Sequence, residues 1–269
     1  MTTALRRAYA ETPDGQVHYR TAGVGEPIVL MHWAPASGRQ HAELLPLLAA
    51  RGFRVFAPDL IGYGDSDKPD RQWSIPDHAR NLGYLLDALY LRSVFLYGGH
   101  TSAAVATEFA VTAPSRVRAM VLDGSPVYGA EKRASLAASY APPLQLETDG
   151  SHMLWAWKRS LRHSTMPLEE AFADSVDLLK AGHTYHTGYE AVWAYDMAAR
   201  LPLVTVPTLA ITTPDDPLVE AHQQVMAEVP ECAEFVGPAR ASLSSAQRAA
   251  LAANVLEGFF RRAAVPGHE

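Results

Sequence analysis

The sequence predicts an α/β protein: a mainly parallel sheet of about eight strands, flanked by helices and interrupted by one helical insertion. Three observations carry that expectation. Short apolar runs alternate with helical patterns through residues 1–124 and again from residue 202. Between those stretches the alternation stops. The 269 residues are 48% hydrophobic and 19% charged, enough for a chain of this length to bury roughly three quarters of its unfolded surface.

At the start, Arg7 to Glu11 and Gln16 to Tyr19, joined around Pro13-Asp14-Gly15, read as an antiparallel hairpin at one sheet edge. Pro27 to Trp33, Phe53 to Pro58, Ser93 to Gly98 and Val117 to Leu122 are rich in Val, Leu, Ile and Phe, as strands buried on both faces are. Between them, His41 to Ala50, Ser74 to Leu91 and Ala103 to Ala113 carry apolar residues at helical spacing. Ser74 is an expected N-cap, with Asp77 three residues on and Pro76 tolerated in the first turn. From Ser125 to about Leu201 the pattern is helical only: Ser151 to His163, Pro167 to Ala181 ending at Gly182, and Gly188 to Arg200. This stretch holds Trp155, Trp157 and Trp193, so it has an apolar face of its own. A lid over residues 125–201 is therefore expected on a core of residues 1–124 and 202–269. The rhythm resumes with a strand at Pro207 to Thr212, a helix at Glu220 to Glu228 and a strand at Ala233 to Val236. A last helix, Ser244 to Arg262, opens on a Ser244/Gln247 capping box.

Composition excludes several function classes. A formal charge of −6 and the lack of any Lys/Arg run beyond pairs such as Arg6-Arg7 argue against nucleic acid as a partner. The single cysteine, Cys232, forms no internal disulfide, and the opening residues MTTALRRAYA lack the apolar stretch of a signal peptide. No run approaches the roughly 18 apolar residues that span a bilayer. The expectation is a cytoplasmic protein without a membrane partner, monomer or homodimer, that acts on a small molecule.

Pro27-Ile-Val-Leu-Met-His32 followed by Pro35, the glycine-rich turn Asp59-Leu-Ile-Gly62-Tyr-Gly64-Asp-Ser66-Asp-Lys-Pro69, and Asp215-Asp216-Pro217-Leu218 together resemble the α/β-hydrolase fold superfamily over nearly the whole chain. The resemblance implies a nucleophile at a tight strand-to-helix turn, flanked two places away by small residues. Two registers compete for that turn. Gly99-His-Thr-Ser-Ala103 puts Thr101 at the apex, and Gly98-Gly-His-Thr-Ser102 puts His100 there. The second runs without a gap into Ala104-Val-Ala106, Glu108-Phe-Ala110 and Pro114, with the spacing the family's helix usually shows, and is preferred. His100 then replaces the family's serine.

Two further departures follow. The loop after the last strand, Gly237-Pro-Ala-Arg-Ala-Ser242, has no histidine where the resemblance implies the triad base; His222 lies before that strand and His268 in the tail. Trp33 stands where the family has glycine beside its oxyanion loop. The implied oxyanion hole uses the amides of Ala34 and Thr101, which are independent of side-chain identity.

These residues point to catalysis by an imidazole. His100, larger than serine, reaches toward Asp216, which fixes its tautomer and supports its charged form; the competing reading is a filled, inert site. His32, Trp33, Asp123, His183, His186 and Trp193 are expected around the substrate pocket, with the alternatives that His32 supports the oxyanion loop, Asp123 forms a turn and the tryptophans pack the lid. The histidine spacing lacks a metal-ligand pattern, so neither metal nor organic cofactor is expected. The implied function is acid/base or hydrolytic chemistry on a small ester, lactone or keto compound through His100. The alternatives are a cofactor-free lyase, cyclase or decarboxylase and, in another class, an inactive ligand-binding pseudo-hydrolase.

Overall fold

Eight strands form one sheet in the computed structural model, which describes residues 4–161 and 167–264. They are β1 (Arg6–Thr12), β2 (Gly15–Ala22), β3 (Glu26–Met31), β4 (Phe53–Pro58), β5 (Val94–Gly99), β6 (Val117–Asp123), β7 (Thr208–Thr212) and β8 (Ala233–Val236). Their order is β1-β2-β4-β3-β5-β6-β7-β8. β1 and β2 are the antiparallel hairpin at the edge, β2 pairs antiparallel with β4, and every later pairing is parallel. The helices are α1 (Leu44–Ala50), α2 (Ile75–Ala88), α3 (Thr101–Thr112), α4 (Ala130–Ser139), α5 (Ser151–Ser160), α6 (Leu168–Ala181), α7 (Thr187–Ala194), α8 (Val219–Glu228) and α9 (Ser245–Ala264).

Successive strand residues point to opposite faces, and both faces are covered, which is why the central strands read as unbroken apolar runs. Val29, Met31, Leu96, Met120 and Leu122 pack with α2 and α3, while Ile28, Leu30, Phe95 and Val121 pack with α1 and α9. The expected caps are present. Ser74 and Asp77 close a capping box on α2, and the Ser244 and Gln247 side chains each accept the other's amide at the start of α9.

The glycine-rich turn is explained by one buried carboxylate. Asp59 accepts the amides of Gly38 and Asp65 and meets His18 Nδ1 at 2.8 Å and Arg20 Nη1 at 3.2 Å. A Cβ on Gly64 would lie 2.1 Å from Asp59 Oδ2. Burial opposes the Asp59 charge, but the bond to His18 and the surrounding donors bring its pKa down to about 2.

Residues 125–201 contain helices and turns but no strand among the described residues. Two helices differ from expectation in their extent. The helix expected over His41 to Ala50 is a 3-10 turn, Gly38–His41, followed by the shorter α1. The helix expected to run from Gly188 to Arg200 stops at Ala194, because Tyr195 is extended and its hydroxyl donates to Glu108 Oε2 at 2.8 Å. Arg200 clasps the same buried carboxylate, Nε to Oε2 at 2.8 Å and Nη2 to Oε1 at 3.1 Å, so the segment is pinned to α3 instead of continuing helical. The expected end of the α5 helix at His163 falls outside the described residues, as does His268. Among the described residues no helix is long and apolar enough to cross a membrane.

Two buried histidines give the fold an acid limit. Burial pushes His41 and His78 down to about 4 from an ordinary 6.5. Between those values the unfolded chain binds protons that the folded chain refuses, so stability falls as pH drops from 6.5 toward 4, by up to roughly 3 kcal/mol per histidine. Thermal denaturation followed from pH 7.5 to 4.5 should show Tm constant above pH 6.5 and falling steadily below it. A flat Tm over the whole range would contradict this.

Candidate active site

The site is assembled where β5, β6 and β7 end and α3 begins. His100 sits at the turn between β5 and α3 with φ 48° and ψ −114°, a left-handed backbone that costs a non-glycine residue about 1–3 kcal/mol. The turn is tight enough that a Cβ on Gly98 would lie 2.3 Å from the Ser102 carbonyl oxygen. Gly98 and Ser102 therefore flank His100 two places away, the geometry of the second register. Ser102 is fully buried; its hydroxyl accepts the Gly99 amide at 2.8 Å and lies 3.0 Å from the carbonyls of Met31 and Gly99. Held in this way, it serves the backbone of the turn.

Asp216 lies in the turn between β7 and α8. Its Oδ1 accepts the Leu218 amide at 2.7 Å, which leaves Oδ2 facing His100 Nε2 at 3.0 Å. The aspartate side chain is 1% exposed and the imidazole 25%. Burial works against the Asp216 charge, yet the bond and charge of His100, the Leu218 amide and the nearby Arg240 hold its pKa below the ordinary carboxylate value.

Gly124, directly after β6, makes room for this contact. Its φ is +68°, and an added Cβ would lie 2.6 Å from His100 Cδ2, 2.8 Å from His100 Nε2 and 3.0 Å from Asp216 Oδ2. Arg240, from the loop after β8, closes the other side. Its Nη2 donates to Asp123 Oδ1 at 2.9 Å and lies 3.6 Å from Asp216 Oδ2, while its guanidinium carbon stands 5.8 Å from the Trp33 ring centre. Asp215 holds that loop in place by accepting the amides of Arg240 and Ala241. The Trp33 ring lies 5.3 Å from the His100 ring and tilted 35° to it, a wall beside the imidazole.

The other expected pocket residues are distributed differently. His32 is fully buried, with Nδ1 2.9 Å from the Trp33 carbonyl and Nε2 accepting the Leu60 amide at 2.9 Å, so it braces the loop and does not line a pocket. Asp123 is not a free second acid, because Tyr97 donates to its Oδ2 at 2.6 Å and Arg240 takes its Oδ1. His183 is exposed in the turn before α7, and His186 faces Glu190 of its own helix at 3.8 Å; no hydrogen bond or ring contact joins either to His100. Trp193 is packed against Tyr189 and Tyr140 within the insertion. With Ala130, Arg133 and Glu190 it lines a cleft of about 450 Å³ between α4 and α7, which includes none of His100, Asp216 or Arg240.

The insertion touches the loop after β3 directly. Tyr63 OH accepts the Gly188 amide at 2.7 Å, and a Cβ on Gly188 would lie 2.8 Å from the Ala34 Cβ. Thr101 is the first residue of α3, so its amide has no acceptor within the helix.

Gly124, Arg240 and Tyr97 are the site residues that sequence reasoning passed over. One signal pointed to Arg240: the loop expected to supply a histidine carries a single ionisable side chain, and it is this arginine.

A family profile described as "alpha/beta hydrolase fold" matches residues 26–232. A haloalkane dehalogenase of Mycobacterium marinum is 31% identical over 223 residues, 80% of this chain and 68% of that protein. A haloalkane dehalogenase of Mesorhizobium japonicum is 39% identical over 118 residues, but the match spans only 44% of this chain and 38% of that protein. In fold, the chain is similar to the crystal structure of an enol-lactonase from Burkholderia xenovorans, with a TM-score of 0.76 at 19% identity over 94% of this chain and all of that one. The chain belongs to the α/β hydrolase fold family.

Proposed function

We propose that this protein is a hydrolase of small carbonyl substrates, esters or lactones, working without an organic cofactor, in which His100 reacts and Asp216 orients it. The observation that carries the reading is the 3.0 Å contact between His100 Nε2 and Asp216 Oδ2, made by a ring at a strained turn. A carboxylate only accepts, so Nε2 carries the proton and the reactive lone pair lies on Nδ1. Nδ1 is two bonds from Cβ, next to the place of a serine hydroxyl at the same apex, while Nε2 reaches the acid. One side chain thus spans the places of nucleophile and base.

Two steps fit this geometry. Nδ1 takes a proton from the water that attacks the carbonyl, or it attacks first, expelling the alcohol, and water then opens the acyl-imidazole. The amides of Thr101 and Ala34 are the donors for the oxygen that gains charge. The same site is poorly suited to the chemistry in its relatives' names. Attack of Nδ1 on a haloalkane would break the carbon–halogen bond and leave an N-alkyl imidazolium, with no carbonyl for water to attack. A second reading, removal of a proton next to a carbonyl, is favoured by the lack of any hydroxyl at the apex, and deuterium exchange into ketone substrates would reveal it.

The test is a panel of p-nitrophenyl esters and lactones, a primary bromoalkane and a fluorophosphonate probe. The expected results are ester or lactone turnover that disappears in His100→Ala, no more than one bromide per chain, and no fluorophosphonate label. Stoichiometric labelling of Thr101 or Ser102, or repeated bromide release, would overturn the reading.

A further inference from the structure

We propose that Arg240 is a positioning residue that takes the place of the missing loop histidine beside Asp216. Its task is to keep two neighbouring carboxylates ionised, so that Asp216 remains an acceptor for His100. This rests on the His100–Asp216 reading above and assigns its supporting charge.

One guanidinium nitrogen, Nη2, stands between the two acids, 2.9 Å from Asp123 Oδ1 and 3.6 Å from Asp216 Oδ2. The Asp123 and Asp216 side chains are 13% and 1% exposed, so water screens them little. Like charges beside each other at a buried site disfavour ionisation, and a cation between them offsets this; without it, one acid is driven toward its protonated form. If that acid were Asp216, Oδ2 would become a donor and would no longer fix the proton on His100 Nε2. Tyr97 cannot replace the cation. Its hydroxyl donates to Asp123 Oδ2, and burial and the Asp123 charge push its pKa up, so it remains a neutral donor.

Arg240 is held for this role and has little freedom for another. Its backbone amide is tied to Asp215 at 2.8 Å, its guanidinium lies against Trp33, and its Nε is buried with no partner among the described residues. The charge is therefore set against the two acids.

The test compares the full chain with Arg240→Met, Arg240→Lys and the double variant Asp123→Asn/Arg240→Met. It uses protein carrying ¹⁵N-histidine, with the His100 signals assigned from His100→Gln. In the unaltered protein at neutral pH, His100 should show the single tautomer protonated at Nε2. Arg240→Met should lose that signature and lower kcat about 10- to 100-fold, with KM within about twofold. Arg240→Lys, which keeps the charge, should retain most of both. The double variant should recover the tautomer and most of the kcat, because removing the second carboxylate removes the need for the cation. Arg240→Met with an unchanged tautomer would overturn the proposal. So would a double variant that stays impaired while its Tm matches the parent, since the loss would then not come from the second carboxylate. The tautomer is read without turnover, so the proposal stands or falls separately from the hydrolase reading.

Discussion

Asp216→Asn should lower kcat/KM by about four orders of magnitude while Tm moves by no more than about 5 °C. The size of the effect follows from which oxygen is already in use. Asp216 Oδ1 accepts the Leu218 amide at 2.7 Å. An asparagine in this place keeps its carbonyl oxygen on that amide and turns its NH₂ group toward His100. Nε2 must then accept, the ring proton moves to Nδ1, and the lone pair that would react is lost. Little volume or packing changes, so the fold survives. Rates measured beside thermal melts of both proteins check this; a loss within tenfold would mean that Asp216 does not set the tautomer.

Gly124→Ala should have the next largest effect, and it should strike both activity and stability. A left-handed φ of +68° strains any L-residue, and the new methyl group would press on His100 Cδ2 at 2.6 Å and Nε2 at 2.8 Å. The strain costs about 1–3 kcal/mol. Displacing the ring by about 1 Å from Asp216 should cost roughly a hundredfold in rate. Gly129→Ala is the matched control, since its φ is −63° and an added Cβ there meets nothing within 4 Å. Activity and Tm of the two variants should differ sharply, and equal behaviour would show that the Gly124 position is not what lets the two side chains meet.

Both predictions depend on local geometry that was only partly legible in the sequence. The strands could be read because their apolar runs reflect burial on both faces, and the breakdown of the alternation at Ser125 marked the helical insertion. The position of His100 was legible because steric crowding demands small residues at Gly98 and Ser102. Asp216 was legible from its place after a strand, before a helix. The supporting residues were not. Gly124 looks like any glycine after a strand, and its importance lies in the meeting of His100, after β5, with Asp216, after β7, beside it, which only the fold creates. Arg240 looks like a solvated loop charge until Asp215, 25 residues earlier, folds the loop back over the site. His32, His183 and His186 were grouped by residue type, whereas partners within their own segments had already taken the first and the last of them.

Whether His100 is the reacting group is tested most directly by covalent labelling with an α-halo ketone such as phenacyl bromide, followed by peptide mapping. Attack by a ring nitrogen forms the carbon–nitrogen bond and expels bromide, so the label records the reacting atom without any need for the true substrate. Cys232 competes weakly, because burial pushes its thiol up to about 11 and leaves little thiolate near neutral pH. The expected result is one label per chain, on Nδ1 of His100, slowed in Asp216→Asn. Labels confined to exposed histidines such as His183, with His100 unmodified, would contradict it.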